Sequence, residues 1–129
     1  MDKLPFRQIN LDFHTSECMP DVGSRFSEDD FEWAIKTGHI SSITLFAKCH
    51  HGWSYFPSKV NPQHPTLSTD LLDRQLSVCE RLGVRAQIYI SAGLDERKAN
   101  LYPQFCVSVP NSDNTLLGAH WHGLCLNND

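Results

Sequence analysis

No block of basic residues exists in this chain of 129 residues: 11 Lys and Arg face 15 Asp and Glu, for a formal net charge of −4. Nucleic acid is held chiefly through phosphate charge, so DNA or RNA is not an expected partner. No apolar run approaches the roughly 20 residues needed to cross a bilayer, so no membrane partner is expected either. The start, Met1-Asp2-Lys3-Leu4-Pro5, has no apolar leader segment. The five cysteines (Cys18, Cys49, Cys79, Cys106, Cys125) are odd in number and contain no Cys-x-x-Cys spacing. That pattern fits reduced thiols, so a cytoplasmic protein is expected. The length allows one domain with a modest core.

What the chain does have is seven histidines and a regular alternation of strand and helix signals. Gln8-Ile9-Asn10-Leu11-Asp12-Phe13-His14 alternates strictly, with Ile9, Leu11 and Phe13 on one face and Asn10, Asp12 and His14 on the other. Ser27-Glu28-Asp29-Asp30 reads as a capping box, Phe31, Ala34 and Ile35 as an apolar stripe, and Gly38 as a C′ residue, predicting a helix over 28–37. A second strand is predicted over 42–48. A helix follows over 70–82, capped by Ser68 or Thr69 and ended by Gly83, and then a third strand over 85–91. This β-α-β-α-β order implies parallel strands joined by right-handed crossovers.

Parity within the strands separates two faces. Ile9/Leu11/Phe13, Ile43/Leu45/Ala47 and Ala86/Ile88/Ile90 form an apolar set that helices should cover. Asn10/Asp12/His14, Thr44/Phe46/Lys48 and Gln87/Tyr89/Ser91 form a mixed or polar set. The second set suits the inside of a closed barrel, so the fold class expected is a partial (β/α)8 TIM barrel; a flavodoxin-like layer is the alternative. A whole barrel takes roughly 250 residues. The turn-rich stretch after Ser91 leads to Trp121-His122-Gly123-Leu124-Cys125-Leu126, where a fourth strand would begin, so 1–129 is expected to be the N-terminal part of a larger barrel. Such a piece would be marginally stable, inactive alone and inclined to self-associate through its open edge.

The segment Phe46 to Lys59 carries most of the chemistry. A strand ends and breaks at Gly52 into a loop with His50, His51, Trp53, Tyr55, Phe56 and Lys59. Loops at the carboxyl ends of parallel strands converge over the sheet and host ligand sites. Neutral imidazoles offer one donor and one acceptor each, which suits vicinal hydroxyls, and an aromatic ring can cover an apolar sugar face.

On Arg7 to His14, Phe46 to Lys59, Tyr89-Ile90-Ser91 and Trp121 to Asn128, the chain resembles the hypothetical glycosyl hydrolase family six. That is a barrel group allied to α-L-fucosidase and α-amylase-like glycosidases. α-L-Fucosidases have a related Ala-Lys-His-His-Asp-Gly-Phe run; Ala47, Lys48, His50 and Gly52 match it, while Cys49, His51 and Trp53 depart from it. The resemblance implies a carbohydrate substrate; no cofactor and no metal are expected. Substrate-binding candidates are His14, Lys48, His50, His51 and Trp53.

Glycoside hydrolysis usually needs two carboxylates, about 5–5.5 Å apart in retaining enzymes and about 6.5–9.5 Å apart in inverting ones. Asp12, Glu17, Asp95 and Glu96 are candidates by type. Asp12 is read as an ion-pair partner of Lys48, and Asp95 and Glu96 as loop charges. The resemblance implies that the catalytic carboxylates lie on the fourth and later strands, so none is assigned here. Two other readings stay open. One is a metal-dependent hydrolase of amidohydrolase or phosphatase type using Asp12, His14, His50, His51, His120 and His122. The other is a non-catalytic sugar-binding fragment. His39 and His64 read as solvent or loop residues, Trp33 and the His120–His122 segment as packing, and Cys49 as a small buried residue.

Overall fold

A computed structural model describes residues 5–108, 115–116 and 121–127. Readings that rest on His120, Asn128 and Asp129 lie outside the described residues. Three strands, β1 (Gln8–Asn10), β2 (Ser42–Lys48) and β3 (Arg85–Ile90), pair in parallel in the order β1-β2-β3. Helix α1 (Glu28–Thr37) joins the first pair and α2 (Leu71–Leu82) the second. The protein is thus a mixed α/β structure around a small parallel sheet.

The predicted helices start where backbone donors find side-chain acceptors. Ser27 accepts from the Asp30 N–H at 3.2 Å, a contact of a kind that contributes about 1 kcal/mol. At α2 the cap is Asp70, which accepts from the Asp73 N–H at 2.9 Å; neither Ser68 nor Thr69 fills that role. Gly83 ends α2 in the left-handed region (φ 66°) as expected, but Gly38 does not do so for α1. Gly38 stays right-handed at φ −76° and His39 takes the positive φ of 49°.

Helix and sheet meet along the face that parity assigned. Ile43, Leu45 and Ala47 form one core with Ile35, Leu72, Val78 and Cys79, with Ile9, Leu11 and Ala86 packed against it. Phe46 belongs to a second core with Val22, Cys49, Tyr55, Leu67 and Leu71, against which Phe13, Phe26, Trp53 and Tyr89 pack. Phe13 is on the opposite side from its parity prediction. The regular strand ends at Asn10 rather than His14, and by Phe13 the period of two no longer holds.

Further expectations are corrected. Ile88 and Ile90 are not covered by a helix; they are 44% and 62% exposed. Trp33 is 68% exposed rather than packed, because the covered side of α1 is the one carrying Phe31 and Ile35. His64 is buried: its Nε2 meets the Ser16 carbonyl at 2.8 Å and its Nδ1 accepts from the Thr66 N–H at 3.3 Å. The stretch after Ser91 is not just turns. Helix α3 (Glu96–Leu101) and a 3-10 turn (Pro103–Phe105) precede two short strands, β4 (Thr115–Leu116) and β5 (Trp121–His122). These pair antiparallel with each other, so residues 121–126 do not add a fourth parallel strand to the sheet.

Candidate functional site

Tyr55 fixes the approach to the site. Burial pushes its phenol far above the usual range, so it stays protonated. Its hydroxyl donates to the Phe13 carbonyl at 3.2 Å, accepts from the Thr15 N–H at 3.1 Å and lies 2.8 Å from Thr15 Oγ1. The residue between these two clamped positions is His14, which is thereby held at the carboxyl end of the sheet.

The second strand supplies the other imidazoles. After Lys48 the chain closes a tight loop: the Gly52 N–H donates to the Cys49 carbonyl at 3.0 Å and the Cys49 N–H to the Trp53 carbonyl at 3.2 Å. Gly52 sits at φ 97°, a region that side chains rarely adopt. The result brings His14 and His50 face to face, with ring centroids 3.7 Å apart and planes inclined by 17°. His51 lies 4.8 Å from His50. Trp121, from β5, meets both, at 4.1 Å from His50 and 4.9 Å from His51. Below them Phe46 and Tyr89 stack at 4.2 Å, and the His14 ring meets each of them at right angles.

Hydrogen bonds assign the His14 tautomer. The His50 backbone N–H donates to His14 Nδ1 at 3.4 Å, so that nitrogen is the unprotonated one. Nε2 then carries its hydrogen toward Asp12 Oδ1, 2.9 Å away. Partial burial pushes His50 down to about 4, aided by the neighbouring His14 and His51. His51 is lowered too, again chiefly by burial. At neutral pH His50 and His51 therefore present uncharged imidazoles with donor and acceptor atoms.

This has a pH consequence. His50 titrates near 6.5 when unfolded and near 4 when folded. Between those values the unfolded chain binds more protons, so folding stability should fall as pH drops through that window. The contribution is fully present above about 6.5. Denaturant midpoints at several pH values between 4 and 7 should show a shallower decline in His50→Gln than in wild type; parallel profiles would contradict it.

Of the five predicted site residues, the structure gathers His14, His50 and His51. Lys48 lies beneath them with its ammonium already engaged, by Asp95 Oδ2 at 2.6 Å and by the Ser91 carbonyl at 2.8 Å. Asp12 is not its partner, because Asp12 turns outward to His14. Asp95 is no loop charge: it is 3% exposed and caps α3 by accepting from the Lys98 N–H at 2.8 Å. Glu96 is the first residue of α3, again not a loop charge. Trp53 stands apart from the imidazoles; its indole N–H donates to Glu17 at 3.3 Å and Arg97 lies 5.2 Å from its ring. A backbone hydrogen bond, and after it the one from Trp53, holds the Glu17 carboxyl below its ordinary range. Trp121 opens the last run that carries the family resemblance, but its sequence reading was packing, not a site residue.

Among the described residues no group of three or more His, Cys, Asp or Glu side chains is arranged to hold a metal ion. No helix among them is long and apolar enough to cross a membrane.

The model of a family described as hypothetical glycosyl hydrolase 6 matches residues 27–129. Among solved structures, alpha-L-fucosidase isoenzyme 2 from Paenibacillus thiaminolyticus is similar, with a TM-score of 0.89 and 43% sequence identity over 97% of this chain. The match covers 20% of that fucosidase, so the chain spans about a fifth of its relative's length. No curated protein sequence matches.

Proposed function

This chain belongs to the hypothetical glycosyl hydrolase 6 family, and we propose that it forms the N-terminal βαβαβ portion of a (β/α)8-barrel glycoside hydrolase and carries one wall of the sugar site. The observation that carries the reading is the stacked pair His14–His50, with His51 and Trp121 against it, at the carboxyl ends of β1 and β2. The neutral imidazoles of His50 and His51 can donate to one sugar hydroxyl and accept from the next, while the indole offers an apolar face to the C–H side of a pyranose. The fucosidase likeness makes an L-fucose-like sugar the first substrate class to try.

The barrel reading is supported by three parallel strands in sequential order and by a sheet face on which Phe46 and Tyr89 stack, in a core separate from the one that holds Ile35 and Val78. The exposed Ile88 and Ile90 support it as well, since in a barrel the next helix covers that face. Any self-association of this chain would use the same edge, where backbone groups of β3 await a partner.

Bond cleavage is not assigned to carboxylates on this chain. Asp12, Glu17, Asp95 and Glu96 are each engaged by a neighbour, respectively His14, Trp53, Lys48 and His122. Their role is to hold the imidazole and aromatic wall in place, with the hydrolytic pair supplied elsewhere in the full enzyme. A metal-dependent reading finds less support: both ring nitrogens of His14 are already hydrogen-bonded within the protein.

A titration of the chain with L-fucose and a panel of other monosaccharides, followed by His ring resonances, tests the proposal. His50→Ala should weaken binding about tenfold, the loss of one or two net hydrogen bonds, while leaving the fold intact. Wild-type affinity in that variant would remove His50 from the site, and a panel with no binder at all would overturn the sugar reading.

A further inference from the structure

Trp121 reaches the histidines from a strand of only two residues, whose strand partner is equally short. Such a pair fixes little by itself. We propose that Glu96 is the positioning residue that sets Trp121 against His50 and His51, and so builds the aromatic side of the site; this rests on the sugar-binding reading above.

Three hydrogen bonds converge on Glu96. Its backbone N–H donates to the His50 carbonyl at 2.8 Å. Its carboxylate then takes both polar groups of a single neighbour: Oε1 lies 2.7 Å from His122 Nδ1 and Oε2 accepts from the His122 N–H at 3.2 Å. One residue thus joins the histidine loop to the residue next to Trp121. Two contacts from one carboxylate to one residue fix orientation as well as distance. The joint is itself anchored, because Asp95, the preceding residue, caps α3 and pairs with Lys48 at the end of β2. Other bonds to the same segment, such as Leu124 N–H to the Gly93 carbonyl at 2.9 Å, act on the backbone beyond β5. They hold the segment near α3 without defining how the indole is aimed.

The amide of Gln can reproduce both contacts, its oxygen accepting from the His122 N–H and its NH2 donating to Nδ1 of the other tautomer. Ala can reproduce neither. The test uses the 129-residue chain with labelled histidine, with Trp121→Ala as the reference for an absent ring. In Glu96→Ala the His50 and His51 ring protons should move most of the way to their Trp121→Ala positions. Affinity for the best monosaccharide of the panel should fall about tenfold, the order expected for a lost aromatic contact. Glu96→Gln should keep both close to wild type, which a purely electrostatic role would not allow. His122→Ala should copy Glu96→Ala and decides the matter if the latter fails to fold.

Unchanged ring shifts in Glu96→Ala or, should that fail to fold, in His122→Ala overturn the proposal. So does a shift equally large in Glu96→Gln. Should the wild-type chain bind no monosaccharide, the sugar reading falls while the ring shifts still judge Glu96. Should the shifts move with affinity intact, Trp121 is no part of the site and the proposal falls alone.

Discussion

Gly52→Ala should be among the most damaging single substitutions in this chain. Two independent costs coincide there. The backbone sits at φ 97°, where a Cβ is strained by about 1–3 kcal/mol. A methyl group would also press on Asp95 Oδ1 and on Arg97 Cβ, the latter at 2.7 Å. Neither can give easily, since Asp95 is buried and tied to both Lys48 and the Lys98 N–H. Overpacking of this kind adds about 1–3 kcal/mol. The sum, about 2–6 kcal/mol, is a large part of the 5–15 kcal/mol or so that stabilises a typical domain.

Gly83→Ala separates the two costs. Gly83 is also left-handed, at φ 66°, but nothing lies within 4 Å of the added methyl. Only the backbone cost remains, about 1–2 kcal/mol. Urea denaturation of both variants should show Gly52→Ala losing at least twice as much as Gly83→Ala. Equal losses would mean that the loop and α3 do not press on each other as described.

Asp95→Asn should come next. The substitution preserves shape and can keep an oxygen on the Lys98 N–H, so the helix cap survives. What it removes is the negative charge 2.6 Å from Lys48 Nζ, in a place where both side chains are largely buried. Leaving one member of such a pair unmatched costs about 3–5 kcal/mol. Adding Lys48→Met should return a good part of it, since the uncompensated charge disappears with the ammonium. A double-mutant cycle by urea denaturation measures this. Additive losses would show that the pair contributes nothing as a pair.

Local sequence rules located the secondary structure well. The span 42–48 is a strand as predicted, and 28–37 and 71–82 are helices, because hydrophobic period, caps and the left-handed Gly83 all act within a few residues. The assignment of Ile9, Leu11, Ile43, Leu45, Ala47 and Ala86 to the helix-facing side needed only the alternation of a strand. Where regular structure stopped, so did the inference. Phe13 changes sides just after β1 ends, and His64 is buried because its ring bonds Ser16, a partner far away in sequence that no local pattern names.

Sequence by itself determined the sheet's parallel order, the two faces of its strands and the presence of a histidine loop at its carboxyl end. It also placed the chain beside a family of sugar hydrolases. The tertiary structure alone decided which charges meet and what stands over the imidazoles: Lys48 with Asp95 rather than Asp12, Glu96 with His122, and Trp121 against His50 and His51. The physical reason is range. Periodicity and capping are settled by neighbours along the chain, whereas an ion pair or a ring contact is chosen by whichever group the folded backbone brings within a few ångströms, and adjacency in sequence carries no record of that distance.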